Sequence, residues 1–260
     1  MSNPPPSPGS GPSDAPPASA PLDLKDRLFL VTGGGVRVGR AICEELARGG
    51  AQVAIHCHRS VGDAQALAEQ LGGGAFVVAA DLRDRLATEV MFDLAQRQSR
   101  SGRIDGLVNS AALFTRTPFA QLTDAQWDDE LAVNLTAPQR CIRFATARGA
   151  TSVVNLVDIA AWQPWREFSA YCVSKAGLLH LTRILARELA PTVRVNAIAP
   201  GTVLFPDDYD SDARARVISR IPVGRAGDPG DVARAVRFLL TEPYLTGVCL
   251  PVDGGQGVSP

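Results

Sequence analysis

The chain reads as an α/β protein with one parallel sheet covered by helices on both sides, and three observations point there. Its 260 residues, 45% of them hydrophobic, suit one large domain with a full core. From Arg27 onward, short apolar runs alternate with amphipathic stretches in a βαβαβ rhythm. The apolar runs are too uniform to leave a wet face, so both sides of the sheet must be buried.

Residues 1–24 are mostly Pro, Ser, Gly and Ala. They bury too little apolar surface to offset ordering entropy, and a disordered tail is predicted. This segment lacks the basic and apolar regions of a secretory signal, and the absence of Arg or Lys before Lys25 argues against a transit peptide. Residues 25–257 form the folded unit. Strands are predicted at Leu28–Thr32, Gln52–Cys57, Ala75–Ala80, Gly106–Asn109, Ser152–Val157, Val193–Ala197 and Gly247–Val252. Helices are predicted near 38–49, 61–71, 84–99, 124–148, 170–190 and 229–240. Residues 202–227, with Phe205, Pro206, Asp207, Asp208 and Tyr209, are long and polar enough for a mobile lid.

Composition excludes several classes. A formal net charge of −1 gives no electrostatic case for nucleic acid or an anionic membrane. No apolar run approaches the ~20 residues that span a bilayer. Five scattered cysteines without a C-x-x-C spacing fit a reducing, cytoplasmic setting rather than disulfides or a metal centre. The alternation His56-Cys57-His58, with no second cluster, is a poor zinc site.

In an open parallel sheet, ligands bind beyond the carboxyl ends of the strands, and the suspicious residues gather there. Thr32-Gly33-Gly34-Gly35-Val36-Arg37-Val38-Gly39 joins the first strand to the first long helix. Glycines let such a turn approach a pyrophosphate, whose charge then sits at the helix N-terminus. Gly33, Arg37, Val38 and Gly39 are the candidate contacts.

An NAD site places an Asp or Glu at the end of the second strand, about 20 residues further on, for the ribose hydroxyl. This chain has His58-Arg59-Ser60 instead. A guanidinium and a hydroxyl suit a phosphate, and Arg37 could reach the same anion, so NADPH/NADP+ is expected over NADH. Asp81, beside Leu82, closes the third strand. It could accept from the adenine amino group or cap the helix that begins near Arg83.

Tyr171-x-x-x-Lys175 puts both side chains on one helix face. A neighbouring ammonium favours the phenolate, so the tyrosine pKa is expected to fall toward the working pH. An isolated pair with this spacing is more often two solvated residues. The surrounding motifs change that weighing.

The order Thr-Gly-x-x-x-Arg-x-Gly, Asn109-Ser110-Ala111, Asn134, Tyr171-x-x-x-Lys175, Pro200-Gly201 and Asp253-Gly254-Gly255 resembles the short-chain dehydrogenase/reductase family over roughly residues 26–255. The resemblance implies one Rossmann domain, doubly wound, with a seven-stranded parallel sheet, and a homotetramer. It also implies a catalytic tetrad of Asn, Ser, Tyr and Lys. Cofactor contacts carry over to Gly33, Arg37, Val38, Gly39, His58, Arg59, Ser60, Asp81, Leu82, Asn109, Ala111, Tyr171, Lys175, Pro200 and Gly201.

Three departures are informative. Arg37 replaces the middle loop glycine, Ala112 follows Asn109-Ser110-Ala111 where a glycine is usual, and Asp158 stands thirteen residues before Tyr171 where a serine is usual. The first and third resemble the pteridine reductase branch, as does the His-x-His-Arg-Ser run. That branch also carries a Phe after the fourth strand, matched by Phe114. Its serine at the position of Ala112 is not matched.

By this resemblance Lys175 binds the nicotinamide ribose, Tyr171 supplies the proton that accompanies hydride transfer, and Asn134 positions a water linking Lys175 to solvent. Arg37, Phe114, Asp158 and Tyr171 face the substrate. An ionised Asp cannot donate to a developing oxyanion and would repel it, so ketones are poor partners for Asp158. A protonatable C=N bond in a flat ring suits it better. Seen alone, Asp158 could simply cap the turn after the fifth strand, and Phe114 could simply pack. Trp162 and Trp165 belong at the pocket mouth or in the core.

The expected function is therefore NADPH-dependent reduction of a pterin-like heterocycle. The alternatives are a carbonyl reductase, such as one for 3-oxoacyl groups on a carrier protein, and a non-catalytic NADP(H)-binding regulator.

Overall fold

The computed structural model describes residues 20–205 and 209–258. Most of the predicted tail, and Pro206, Asp207 and Asp208 of the predicted lid, lie outside the described residues.

Seven parallel strands form one sheet: β1 (Leu28–Thr32), β2 (Gln52–Cys57), β3 (Phe76–Ala79), β4 (Gly106–Asn109), β5 (Ser152–Leu156), β6 (Arg194–Pro200) and β7 (Cys249–Val252). Their spatial order is β3-β2-β1-β4-β5-β6-β7. The order reverses between β1 and β4, where Thr32 is in register with Asn109, and that crevice is where an open sheet binds its ligand. The helices are α1 (Arg37–Arg48), α2 (Val61–Leu71), α3 (Arg85–Gln98), α4 (Asp124–Leu131), α5 (Ala137–Thr146), α6 (Ser169–Glu188), α7 (Ser211–Ile218) and α8 (Pro229–Thr241).

Alternation along β1 divides the core. Phe29 and Val31 pack with Ile42 and Leu46 of α1, Leu67 of α2, and Val236 and Leu239 of α8. Leu28 and Leu30 point to the other side, toward Met91 and Phe92 of α3 and Ile142 of α5. Burial on both faces is what the uniform strand composition requires.

Several helix starts follow from local chemistry. The Asp84 side chain accepts from the Leu86 and Ala87 N–H groups at α3, and Thr123 and Gln126 close a capping box at α4. Asp228 and Asp231 do the same at α8, with Pro229 in its first turn. At α1 the flanking residue Val36 offers no side-chain cap. Its first-turn N–H groups are therefore free of a side-chain cap at the mouth of the crevice.

The structure adds to or departs from expectation at four places. The single helix expected over 124–148 is α4, one π-helical turn over Ala132–Thr136, and α5. Packing against α6 and the loop after β4 overrides local propensity there, with the wider turn carrying the buried Asn134. The ordered region begins before residue 25. Leu24 is 3% exposed and packs on the α1–α8 face, and the Leu22 N–H donates to the Thr241 carbonyl. The expected lid contains helix α7, capped by Asp210. Strand β6 runs three residues beyond the expected Ala197, to Pro200.

Candidate active site

The phosphate loop is shaped by two glycines. Gly33 has φ +64°, and a Cβ there would fall 2.9 Å from Ala111 Cα. A Cβ on Gly39 would overlap the Gly33 carbonyl. Arg37 adopts φ +53° at the first position of α1, a left-handed conformation that a glycine would take without strain. Val38 is partly buried beside it. His56 fastens this loop to the sheet. Its Nδ1 accepts the Gly33 N–H (3.1 Å), and its Nε2 donates to the Ala80 carbonyl (3.1 Å). Burial lowers its pKa from 6.5 to about 4, against the opposing pull of the Ala80 carbonyl, so the ring is neutral and this tautomer is consistent. Thr32 makes a second fastening, its hydroxyl accepting the Ser110 and Ala111 N–H groups (3.0 and 3.1 Å).

Beyond β2, His58 and Arg59 are exposed and Ser60 is half-buried. Arg59 and Arg37 form no ion pair with a described residue. Ser60 Oγ lies 3.3 Å from where a Cβ on Gly35 would sit, so β2's end adjoins the phosphate loop. Asp81 binds Arg83, with Nη2 to Oδ2 at 2.7 Å. That hydrogen bond, with the Arg83 backbone N–H and charge, holds the carboxyl at about 2 against partial burial. The helix-cap reading of Asp81 fails because Asp84 caps α3. The Leu82 side chain is in the core, and its carbonyl accepts from Arg140 (2.8 Å).

Asn109 ends β4 and donates to Asn155 Oδ1 at 2.8 Å. Its own Oδ1 is buried without a protein partner. A buried acceptor of this kind normally has a donor, and here it sits in the ligand crevice. Pro200 ends β6, and Gly201 donates its N–H to the Val252 carbonyl (3.0 Å). The residue after it, Thr202, is clasped by Gln256 Oε1, which accepts its N–H at 3.0 Å. The uncapped α1 terminus, the glycine cradle, the free arginines and the unmatched Asn109 oxygen together fit a dinucleotide.

Asp158 and Tyr171 meet directly. The tyrosine hydroxyl donates to Asp158 Oδ2 at 2.9 Å, while Asp158 Oδ1 accepts the Ala160 N–H at 2.8 Å. Asp158 is thus both a turn cap and the tyrosine's partner. Burial raises its pKa from 3.8 to about 6, opposed by the Ala160 N–H, the Tyr171 hydroxyl and the Lys175 charge. Lys175 Nζ donates to the Leu156 carbonyl (2.8 Å) and lies 5.6 Å from the Tyr171 ring centroid. Burial lowers its pKa to about 8, against the pull of Asp158 and Glu130. The expected lowering of the Tyr171 pKa is not what this arrangement produces. Burial first, then the Asp158 and Glu130 carboxylates, push it well above 10, so the phenol keeps its proton.

Asn134 is buried in the π-helical turn. Its Oδ1 accepts the Leu113 N–H (2.8 Å), and its Nδ2 donates to the Leu113 carbonyl (2.9 Å) and Glu130 Oε2 (2.8 Å), with Ser174 Oγ 3.1 Å away. These bonds brace the loop after β4. Phe114, on that loop, is 51% exposed. It stacks on Phe168 at 4.6 Å and meets Tyr171 edge-on at 4.8 Å. Trp165 completes the cluster, 6.3 Å from the Tyr171 ring, whereas Trp162 is 40% exposed near Gly257. The two loops are joined by Arg116 Nε to Glu167 Oε2 (2.6 Å) and by the Thr117 N–H to the Glu167 carbonyl (2.7 Å).

Sequence reasoning missed Glu130, Phe168 and the fastening roles of Thr32 and His56. His56 could have been noticed as a polar residue inside an otherwise apolar, doubly covered strand. Glu130 could have been noticed four residues before Asn134, on the same helix face.

A parallel sheet with a glycine cradle at its switch point and a buried Tyr–Lys pair beside it defines a nucleotide-dependent α/β oxidoreductase. The family model described as Enoyl-(Acyl carrier protein) reductase matches residues 35–256. A 3-oxoacyl-[acyl-carrier-protein] reductase of Vibrio harveyi is 34% identical, over 90% of this chain and 99% of its own length. The 2-(S)-hydroxypropyl-CoM dehydrogenase 3 of Xanthobacter autotrophicus is 32% identical, over 90% and 97%. Among solved structures, a dehydrogenase/reductase of Sinorhizobium meliloti has a TM-score of 0.84 at 34% identity, covering 90% of this chain and 96% of that one. A short-chain dehydrogenase/reductase of Brucella melitensis has a TM-score of 0.83 at 28% identity, covering 91% and 98%. The chain belongs to the short-chain dehydrogenase/reductase family, whose members are oxidoreductases that use a nicotinamide cofactor.

Proposed function

We propose that the protein is an NADPH-dependent reductase of C=N bonds in flat, pterin-like heterocycles. One observation carries this reading: the tyrosine hydroxyl donates to a carboxylate, Asp158, where most of the family has a serine. When bound, the reduced cofactor supplies the hydride. Arg59, Ser60 and Arg37 would hold its 2′-phosphate, and Gly33, Gly39 and the α1 N-terminus its pyrophosphate. Lys175, held on the Leu156 carbonyl, adds positive charge beside Tyr171.

Tyr171 retains its proton until a basic ring nitrogen takes it, and Asp158 orients that proton through Oδ2. With a pKa of about 6, Asp158 can itself take and return a proton near neutrality. An ionised Asp158 accepts N–H groups of a heterocycle but repels an oxyanion, which is the discrimination a pterin requires. Phe114 gives the ring an aromatic surface.

A second reading is reduction of a 3-oxoacyl thioester. The Vibrio harveyi relative supports it by name. So does the raised Asp158 pKa, since a protonated carboxyl can donate as a serine does. Steady-state NADPH oxidation separates the two. Turnover of dihydrobiopterin or dihydrofolate is expected; turnover of acetoacetyl thioesters without either pterin would sink the first reading. Asp158→Ser is expected to lower pterin reduction by roughly 100-fold while preserving or improving ketone reduction. A gain in pterin activity would contradict the proton role.

A further inference from the structure

Glu130 is 2% exposed, and no described Lys or Arg pairs with it. A buried carboxylate without an ion partner is held only when hydrogen bonds satisfy it. Both oxygens are satisfied. Oε1 accepts the Thr115 N–H (2.8 Å) and Oε2 accepts from Asn134 Nδ2 (2.8 Å). Asn134 in turn grips the N–H and carbonyl of Leu113. The residue between Leu113 and Thr115 is Phe114, whose ring lies 4.8 Å from Tyr171.

We infer that Glu130 is a positioning residue: by pinning the backbone on either side of Phe114, it sets where the aromatic wall stands relative to Tyr171. It touches neither substrate nor cofactor. The carboxylate matters because the two N–H donors need an acceptor at each oxygen, and glutamine offers only one. The inference rests on Phe114 lining the substrate site, as proposed above.

The test is a steady-state series with dihydrobiopterin as the probe: wild type, Phe114→Ala, Glu130→Ala, Glu130→Gln and the Phe114→Ala/Glu130→Ala double variant. Glu130→Ala is expected to raise KM about tenfold with NADPH affinity within about twofold of wild type. Glu130→Gln keeps one acceptor and the shape, so it should fall between and also guards against misfolding of the alanine variant. If Glu130 acts through Phe114, its removal adds nothing to KM once Phe114 is alanine. Additive effects in the double variant, or KM unmoved in both Glu130 variants while Phe114→Ala raises it, would overturn the assignment. An unmoved KM in Phe114→Ala overturns the platform and the inference together. If the wild type does not reduce dihydrobiopterin, the functional reading fails, and the same series with acetoacetyl-CoA decides Glu130 by the same criteria.

Discussion

Asp158 answers to two partners through two different oxygens, the Ala160 N–H and the Tyr171 hydroxyl. The cap fixes the plane of the carboxyl group, and the fixed plane aims the second oxygen. This explains why its spacing to Tyr171 was legible in sequence: a strand end and a helix register determine both ends. For Glu130 the sequence shows only its spacing of four residues to Asn134; within the acidic run Asp124–Leu131 it otherwise reads as a solvated face, and tertiary packing alone buries it. We propose that cofactor choice turns on Arg59, exposed beyond β2. Arg59→Asp replaces attraction for a phosphate by repulsion and offers a ribose hydroxyl an acceptor. Its NADPH KM should rise roughly 10- to 100-fold while that for NADH falls. Equal cofactor ratios in mutant and wild type would remove the case for Arg59.

Among the elements, strand positions follow the apolar runs closely because burial on both faces leaves little freedom. The α4–α5 region departed from expectation because continuous helical periodicity does not reveal an extra residue in one turn; Asn134's bonds to the loop after β4 select it. The β1–α1 connection is the most tightly built element. Gly39→Ala would place a methyl group against the Gly33 carbonyl. Relieving such a clash costs about 1–3 kcal/mol, and the melting temperature should fall by roughly 2–12 °C, with weaker NADPH titration. An unaltered melting curve and titration would show that the loop has slack.

Acid stability belongs to the whole molecule, since two buried groups pull it in opposite directions. His56 titrates near 4 when folded and 6.5 when unfolded, so the unfolded chain takes up the proton first and stability is lost as pH falls from 6.5 toward 4. Asp158 titrates near 6 when folded and 3.8 when unfolded; its contribution is present at low pH and lost as pH rises from 3.8 through 6. Each is on the order of 3 kcal/mol, so they largely offset. Urea midpoints of the wild type should change little from these groups between pH 6.5 and pH 4. Asp158→Asn should lose stability on acidification, and His56→Gln should gain it. Parallel curves for the three proteins would refute the assignment. One more property follows from the Arg116–Glu167 clip and the 4.6 Å stack of Phe114 on Phe168. The clip ties together the two loops that carry the stacked rings. On the proposed reading of Phe114 as the aromatic wall, Phe168 already occupies one of its faces, so a bound ring would lie against what remains, and loosening the clip would alter the width open to it.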